Sequence, residues 1–325
     1  MRDLSNPLKL ITLLSDGEFH SGEELAIEFG ITRAGINKYI KLIKQWGLEI
    51  TSTQGKGYQL AYPIDLLMID KIEQYYRTFS HSALDFEILP VIDSTNQYLL
   101  DKIGELQSGF ACAAEYQQAG RGRRGRQWFS PFGSNLYFSM YWRLEQGPAA
   151  AMGLSLVIGI VIANVLRQLS GQEIKVKWPN DLYLNDKKLA GILVELAGKT
   201  GDVAHVVMGS GINLMMHNPD HDIVNQAWAN LGYIDRNLLV ANLLNQLREA
   251  MCCFEQQGLH AFIDEWMLLD NFVGRPVKLL IGDKIIKGIA RGINDQGALL
   301  LEQDGHITPY IGGEISLRAD HVSKD

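Results

Sequence analysis

Along the first sixty residues apolar positions recur at helical spacing. Leu8, Ile11, Leu13 and Leu14 outline one helix. Ser21 stands as an N-cap with Glu24 three residues on, in capping-box register, for a short second helix through Leu25 to Phe29. Gly30 stops it, since glycine tolerates the left-handed conformation that ends a helix. Thr32 caps a third helix with an inner face of Ile36, Tyr39, Ile40 and Ile43. Beyond Trp46 the period shortens: Leu48-Glu49-Ile50-Thr51 and Tyr58-Gln59-Leu60 flank Gln54-Gly55-Lys56-Gly57, two short strands around a Gly-rich turn. Three helices and a hairpin predict a winged helix-turn-helix that ends near Pro63.

A helical stretch follows at 66–79, and then the pattern mixes. Strand-like runs fall at 86–91, 111–115, 136–141, 175–177, 189–196 and 203–209, with helix-like runs at 94–102, 149–168 and 237–257. Such alternation predicts a mixed α/β domain packed on one sheet. From Arg275 onward short strands are separated by Gly-Asp, Asp-Gln-Gly and Asp-Gly turns, which predicts a small SH3-like β-barrel. The expected architecture is a multidomain α+β chain, divided as 1–64, 65–272 and 273–325. The most apolar run, 149–163, is shorter than the 18 or so residues needed to span a bilayer, and reads as a helix buried on most sides.

Composition narrows the function. The chain has 325 residues and a net charge of −7, so a surface basic all over for coating nucleic acid is excluded and any DNA-binding face is local. Such a face is visible. Residues 16–28 carry Asp16, Glu18, Glu23, Glu24 and Glu28 with no Lys or Arg, whereas 33–56 carry Arg33, Lys38, Lys41, Lys44 and Lys56 against Glu49 alone. Arg33, Asn37 and Lys38 lie in the first half of the third helix, where a recognition helix meets bases. Lys41, Lys44 and Lys56 suit phosphates. Three cysteines, two of them adjacent, argue against a disulfide framework and fit a reducing cytoplasm. The first fourteen residues lack the features of a signal peptide.

Several segments could carry chemistry. Gly120-Arg121-Gly122-Arg123-Arg124-Gly125 matches the dinucleotide fingerprint by letter, but Pro131 and Gly133 stand where its helix should run, and no phosphate-holding helix N-terminus can form. Four guanidiniums on a glycine-rich backbone read instead as an anion-binding loop that orders on its ligand, or as a solvated basic loop. Lys177-Trp178-Pro179-Asn180-Asp181 sits at a strand end, and Lys188 stands at the mouth of a buried strand beginning Leu189-Ala190-Gly191. Either is a solvated turn or a site. Gly209-Ser210-Gly211-Ile212-Asn213 ends another strand with room for a ligand against backbone. Ser94-Thr95-Asn96 is either a helix N-cap or a hydrogen-bonding set for a small polar group. His217 and His221, with Asp220 and Asp222, suggest a metal only superficially, because Pro219 breaks the helix that would align them; no metal site is expected. Cys252-Cys253 reads as core.

Glu115-Tyr116-Gln117-Gln118-Ala119 leading into the Gly/Arg loop, the Lys177–Asp181 motif, and Lys188 through Glu195 together closely resemble the bacterial biotin–protein ligases. With the N-terminal segment, the resemblance is to their bifunctional form, which also represses biotin synthesis genes. It implies ATP, biotin and Mg²⁺; a biotinyl-5′-adenylate intermediate that is also the corepressor; a biotin carboxyl carrier protein as acceptor; operator DNA; a homodimer when adenylate is bound; and no membrane. By the same resemblance Ser94, Thr95, Asn96 and Gln117 meet the ureido ring and nearby polar atoms. Gly120, Arg121, Gly122 and Arg123 form the loop folding over biotin and adenylate. Trp128, Gly191, Asn213 and Val224 pack beside the ligand. Lys188 bridges carboxylate and α-phosphate, Arg123 assists it, and Asp181 orients Mg²⁺ or the acceptor amine. Gly22, Thr32, Arg33, Asn37, Lys38, Lys41 and Lys56 face DNA. Lys188→Ala is therefore expected to cost far more adenylation than Arg318→Ala. The competing readings are a ligand-sensing transcription factor without ligase activity, and a lipoate or octanoate transferase.

Overall fold

A computed structural model describes residues 3–198, 202–217, 224, 226–312 and 315–320. The N-terminal helices are α1 (Ser5–Leu14), α2 (Gly22–Glu28) and α3 (Arg33–Gln45), followed by the antiparallel hairpin of β1 (Ile50–Thr53) and β2 (Gly57–Leu60). Both expected caps form: the Ser21 hydroxyl accepts from the Glu23 amide at 3.3 Å and the Thr32 hydroxyl from the Gly35 amide at 3.2 Å. Leu10, Ile11, Leu14, Leu25, Ile36, Ile40 and Ile43 close a small core. That core also takes Phe132 from the next domain, stacked on Trp46 with ring centroids 5.8 Å apart.

The central elements, in chain order, are α4 (Ile69–Tyr76), β3 (Phe86–Ile92), α5 (Thr95–Asp101), β4 (Ala111–Gln117), β5 (Leu136–Leu144), α6 (Leu154–Ser170), β6 (Lys175–Lys177), β7 (Asp181–Leu184), β8 (Lys187–Ala197), β9 (Ala204–Ile212), α7 (Arg236–Gln257) and α8 (Ile263–Leu269). Seven strands make one sheet in the order β3-β4-β5-β9-β8-β7-β6, with only β3 and β4 parallel. Helices α6 and α7 pack against each other over the main core, while α5 closes the opposite face on Leu99, Cys112, Tyr141 and Val207.

Some expectations change. The apolar run does not form one helix from 149: Gly147 and Gly153 both adopt φ of +82°, and Pro148–Ala151 make a separate 3₁₀ turn before α6 begins. The stretch Pro148–Ser170 is long and apolar enough by composition to cross a membrane, yet it lies mostly buried within the protein. The strand expected at 203–209 runs on through Ile212, so Gly209–Ile212 form the end of β9, paired with β5 on one side and β8 on the other. β7 went unforeseen because it is only four residues long and begins inside the Lys177–Asp181 motif, which read as a strand end. Cys252 is exposed and Cys253 half-buried, because α7 turns that side toward solvent, so neither is the core residue expected. All three cysteines are free.

The C-terminal strands β10 (Pro276–Ile281), β11 (Lys284–Ile293), β12 (Leu299–Gln303), β13 (His306–Tyr310) and β14 (Ile315–Ala319) form an antiparallel sheet in the order β13-β12-β11-β10-β14. Its outer strands β13 and β14 do not pair with each other among the described residues, so the small all-β domain expected as an SH3-like barrel is present as a sheet that does not close. Val277, Leu279, Leu299 and Leu317 merge it into the central core.

Candidate active site

A cavity of about 390 Å³, in the range of small-molecule sites, opens where α5, β4, β8 and β9 meet the 120–128 loop. Its lining includes Ser94, Thr95, Asn96, Gln117, Arg121, Gly122, Arg123, Trp128, Asp181, Lys188, Gly191, Asn213 and Val224. Of the expected ligand set only Gly120 stands behind the wall; a Cβ there would lie 2.4 Å from the Trp128 carbonyl, so it lets the loop turn.

One end of the cavity is a closed hydrogen-bond network. Thr95 donates its amide and hydroxyl to Gln117 Oε1 at 2.9 and 3.1 Å, and Gln117 Nε2 donates to Ser130 Oγ at 3.0 Å. The Ser139 hydroxyl lies 2.7 Å from Thr95 Oγ1 and 2.6 Å from Asn96 Oδ1, while Asn96 Nδ2 donates to Glu195 Oε2 at 2.9 Å. Ser94 does cap α5, its hydroxyl accepting from the Gln97 amide at 3.5 Å, and it also lines the cavity. Two glycines explain how the ligand space is kept open. A Cβ at Gly211 would sit 2.3 Å from the Trp128 indole, and one at Gly209 2.0 Å from Asn96 Oδ1.

The other end is charged. Asp181 lies between two lysines, 2.7 Å from Lys188 Nζ and 3.4 Å from Lys177 Nζ. Burial pushes the Asp181 carboxyl up, but the two ammonium charges outweigh it and hold it below the usual carboxylate range. Burial brings the Lys177 ammonium down to about 8 despite Asp181 beside it, and Tyr183 Oη sits 3.0 Å away. Both lysines line the cavity; Lys188 is the more exposed of the two, its ammonium over the Trp128 ring at 5.4 Å. Arg123 donates to Asn180 Oδ1 at 2.8 Å and Arg124 to Ser316 Oγ on β14 at 3.4 Å, so the loop already bridges two domains. After one 3₁₀ turn at Arg123–Gly125 the chain returns through a bridge from Arg121 to Gln127, with no helix behind the glycines.

Sequence reasoning missed part of this wall. Lys177 and Asn180 were in view as a motif without roles. Trp228 on the wall and Ser139 behind it carried no signal of their own, and Glu195, also behind it, was in view only as the end of a motif. Arg318, set apart as a distant comparison for Lys188, lies on the cavity wall, brought there by β14. His217 stacks on Tyr62 of the linker at 4.0 Å. Asp220, His221 and Asp222 lie outside the described residues, and no group of three or more His, Cys, Asp or Glu able to hold a metal occurs among those described.

On the first domain Thr32, Arg33, Asn37, Lys38, Lys41 and Lys56 are all exposed on α3 and the wing. Tyr58 donates to Asn37 Oδ1 at 2.6 Å, which fixes that amide at the surface. Gly22 departs from the expectation. It is buried, with Tyr58 3.1 Å from where a Cβ would stand, and so packs the domain rather than facing DNA.

Comparison with known proteins agrees with this geometry. The model of the biotin/lipoate A/B protein ligase family matches residues 88–213, that of an HTH domain 8–59, and that of the biotin protein ligase C-terminal domain 272–318. The bifunctional ligase/repressor BirA of Salmonella typhimurium is 61% identical, covering 98% of this chain and 99% of the relative. That of Escherichia coli is 60% identical over the same shares. Among solved structures, the biotin protein ligase from Aquifex aeolicus in complex with biotin and ATP superposes with a TM-score of 0.62 at 28% identity, covering 72% of this chain and 99% of that one. With near-complete mutual coverage at such identity, and a helix-turn-helix ahead of the ligase fold, this chain belongs to the biotin–protein ligases, in their bifunctional ligase/repressor form.

Proposed function

We propose that the chain joins biotin to one lysine of a biotin carboxyl carrier protein at this cavity, and that with biotinyl-5′-adenylate bound it dimerises and represses biotin synthesis genes at their operator. The observation that carries the reading is a single cavity with a neutral, fully hydrogen-bonded end at Thr95, Asn96 and Gln117 and a cationic end at Lys188, Lys177 and Arg123. A ureido ring needs fixed donors and acceptors. A carboxylate meeting a triphosphate needs positive charge where the two anions approach.

In the first step a biotin carboxylate oxygen attacks the α-phosphorus of ATP and pyrophosphate leaves. Lys188, at the cationic end of the cavity, neutralises the charge that gathers where the two anions meet; Arg123 and Arg121 close over the product. In the second step the carrier amine attacks the anhydride carbonyl, AMP leaves, and the nitrogen loses its proton. Asp181, held between Lys177 and Lys188, fixes the Lys188 ammonium beside the reacting groups and supplies the negative charge near which the carrier amine arrives. Both its oxygens already face ammonium groups, which disfavours a divalent cation there, so magnesium enters as the substrate MgATP on the phosphates.

The first 64 residues act as the DNA-binding domain, 65–272 as the catalytic domain and 273–325 as the C-terminal domain. Arg33, Asn37 and Lys38 read bases while Thr32, Lys41 and Lys56 hold phosphates. Beyond Gly191, β8 pairs with β9 but has left β7, so its outer half offers an open edge for a second copy. Free thiols and substrates such as MgATP support a cytoplasmic reaction. The test is incubation with biotin, MgATP and a carrier domain, following pyrophosphate release and mass gain on one carrier lysine. Absence of both would end the reading.

A further inference from the structure

Strand alternation puts Gly191, Leu193 and Glu195 of β8 on one face, the face that meets α5. Glu195 stands near the end of that row, where among the described residues β8 pairs with β9 alone, and its side chain keeps 20% exposure. Its two oxygens have different partners. Oε2 accepts from Asn96 Nδ2 at 2.9 Å; Oε1 is paired with Arg121 Nη2. Arg121 Nη1 in turn donates to Gln97 Oε1, the neighbour of Asn96 on α5.

We propose that Glu195 is a positioning residue that ties the arginine loop to the polar end of the cavity, so that recognition of the ring and closure of the loop are set by one carboxylate. The inference rests on the functional reading above and deepens it. Asn96 is 4% exposed and its amide can be turned either way round; Ser139 against Oδ1 and Glu195 with the Leu193 carbonyl against Nδ2 fix which atom faces which partner. A neutral acceptor would suffice for that task. Arg121 needs more, because a guanidinium with 37% exposure stays beside β8 only against a negative charge. The charge on Glu195 thus serves the loop, and its acceptor capacity serves Asn96.

These two roles separate by substitution. In full-length protein, biotin KM is measured by biotin-dependent pyrophosphate release, and the half-life of retained adenylate is followed without carrier. Glu195→Ala raises biotin KM and shortens adenylate retention, each by about tenfold or more. Glu195→Gln restores KM, since its carbonyl oxygen still accepts from Asn96, but leaves retention short. Arg121→Ala shortens retention, and adding Glu195→Ala shortens it no further, because both remove the same pair. The inference is overturned if Glu195→Ala changes neither quantity, if Glu195→Gln restores both or neither, or if the double variant is additive. Wild-type protein that releases no pyrophosphate with biotin sinks the functional reading itself, and this inference with it.

Discussion

Asp181 shows how much one side chain can depend on its neighbours. Almost buried, it is ionised only because two lysines flank it, and each lysine is held in turn by it. Truncating Lys188 leaves the Asp181–Lys177 pair intact, so the fold survives while the cavity loses its central cation. Lys188→Ala is expected to lower biotin-dependent pyrophosphate release by about 10²–10³-fold with thermal stability little changed. Arg123 acts differently, as part of the closure, so Arg123→Gly releases adenylate early, and bystander proteins mixed with the variant, biotin and MgATP gain biotin on exposed lysines. Labelling confined to the carrier would remove Arg123 from loop retention. At Gly209 the constraint is steric. A methyl group 2.0 Å from Asn96 Oδ1 has nowhere to go, and Gly209→Ala raises biotin KM by about tenfold or more.

Among the elements, the wing is where local backbone geometry decides function. Gly57 begins β2 at φ +107°, and a Cβ there would lie 1.9 Å from the His20 carbonyl oxygen, whose strand-like bridge to Tyr58 joins the wing to the start of α2. Gly57→Ala costs that junction about 1–2 kcal/mol from the left-handed backbone alone, and more from the clash. Operator binding falls while biotin-dependent pyrophosphate release continues, as gel-shift and release assays on the same preparation would register; equal loss of both would tie the wing to the cavity. α3 was readable because its apolar face repeats with helical spacing beside an N-cap. α6 was readable in kind but not in extent. Hydropathy cannot see that two glycines before it adopt positive φ and delay its start.

Across the whole molecule, the three parts share buried surfaces. Phe132 fills the first domain's core, and the C-terminal sheet's apolar face joins the central one. Asp270 lies at the second junction, bridged to Val176 of β6 and entering the C-terminal sheet. Burial pushes its carboxyl up to about 6, against the Phe272 amide that donates to it at 2.8 Å. The folded state therefore holds a proton there that the unfolded chain has released, and stability declines as pH rises from about 4 to about 6. Above that the full cost applies, about 3 kcal/mol. Asp270→Asn is expected to remove this slope and to raise stability at pH 7, as urea unfolding between pH 4.5 and 7.5 would show.

The sequence by itself determined the winged helix, the alternation of central elements and the chemistry-bearing motifs, because periodicity, caps and turn residues act within a few positions of one another. It also placed Lys188, Arg123 and Asn96 among the candidates. Only the tertiary structure decided that Arg318 lines the cavity, that Ser139 and Glu195 back its Thr95–Asn96 wall, that Gly22 is packing, and that Asp181 is shared by two lysines. Most of those facts come from strand order and packing, which bring together residues as distant in the chain as Asn96 and Glu195 or Lys188 and Arg318 and leave no local trace in either segment.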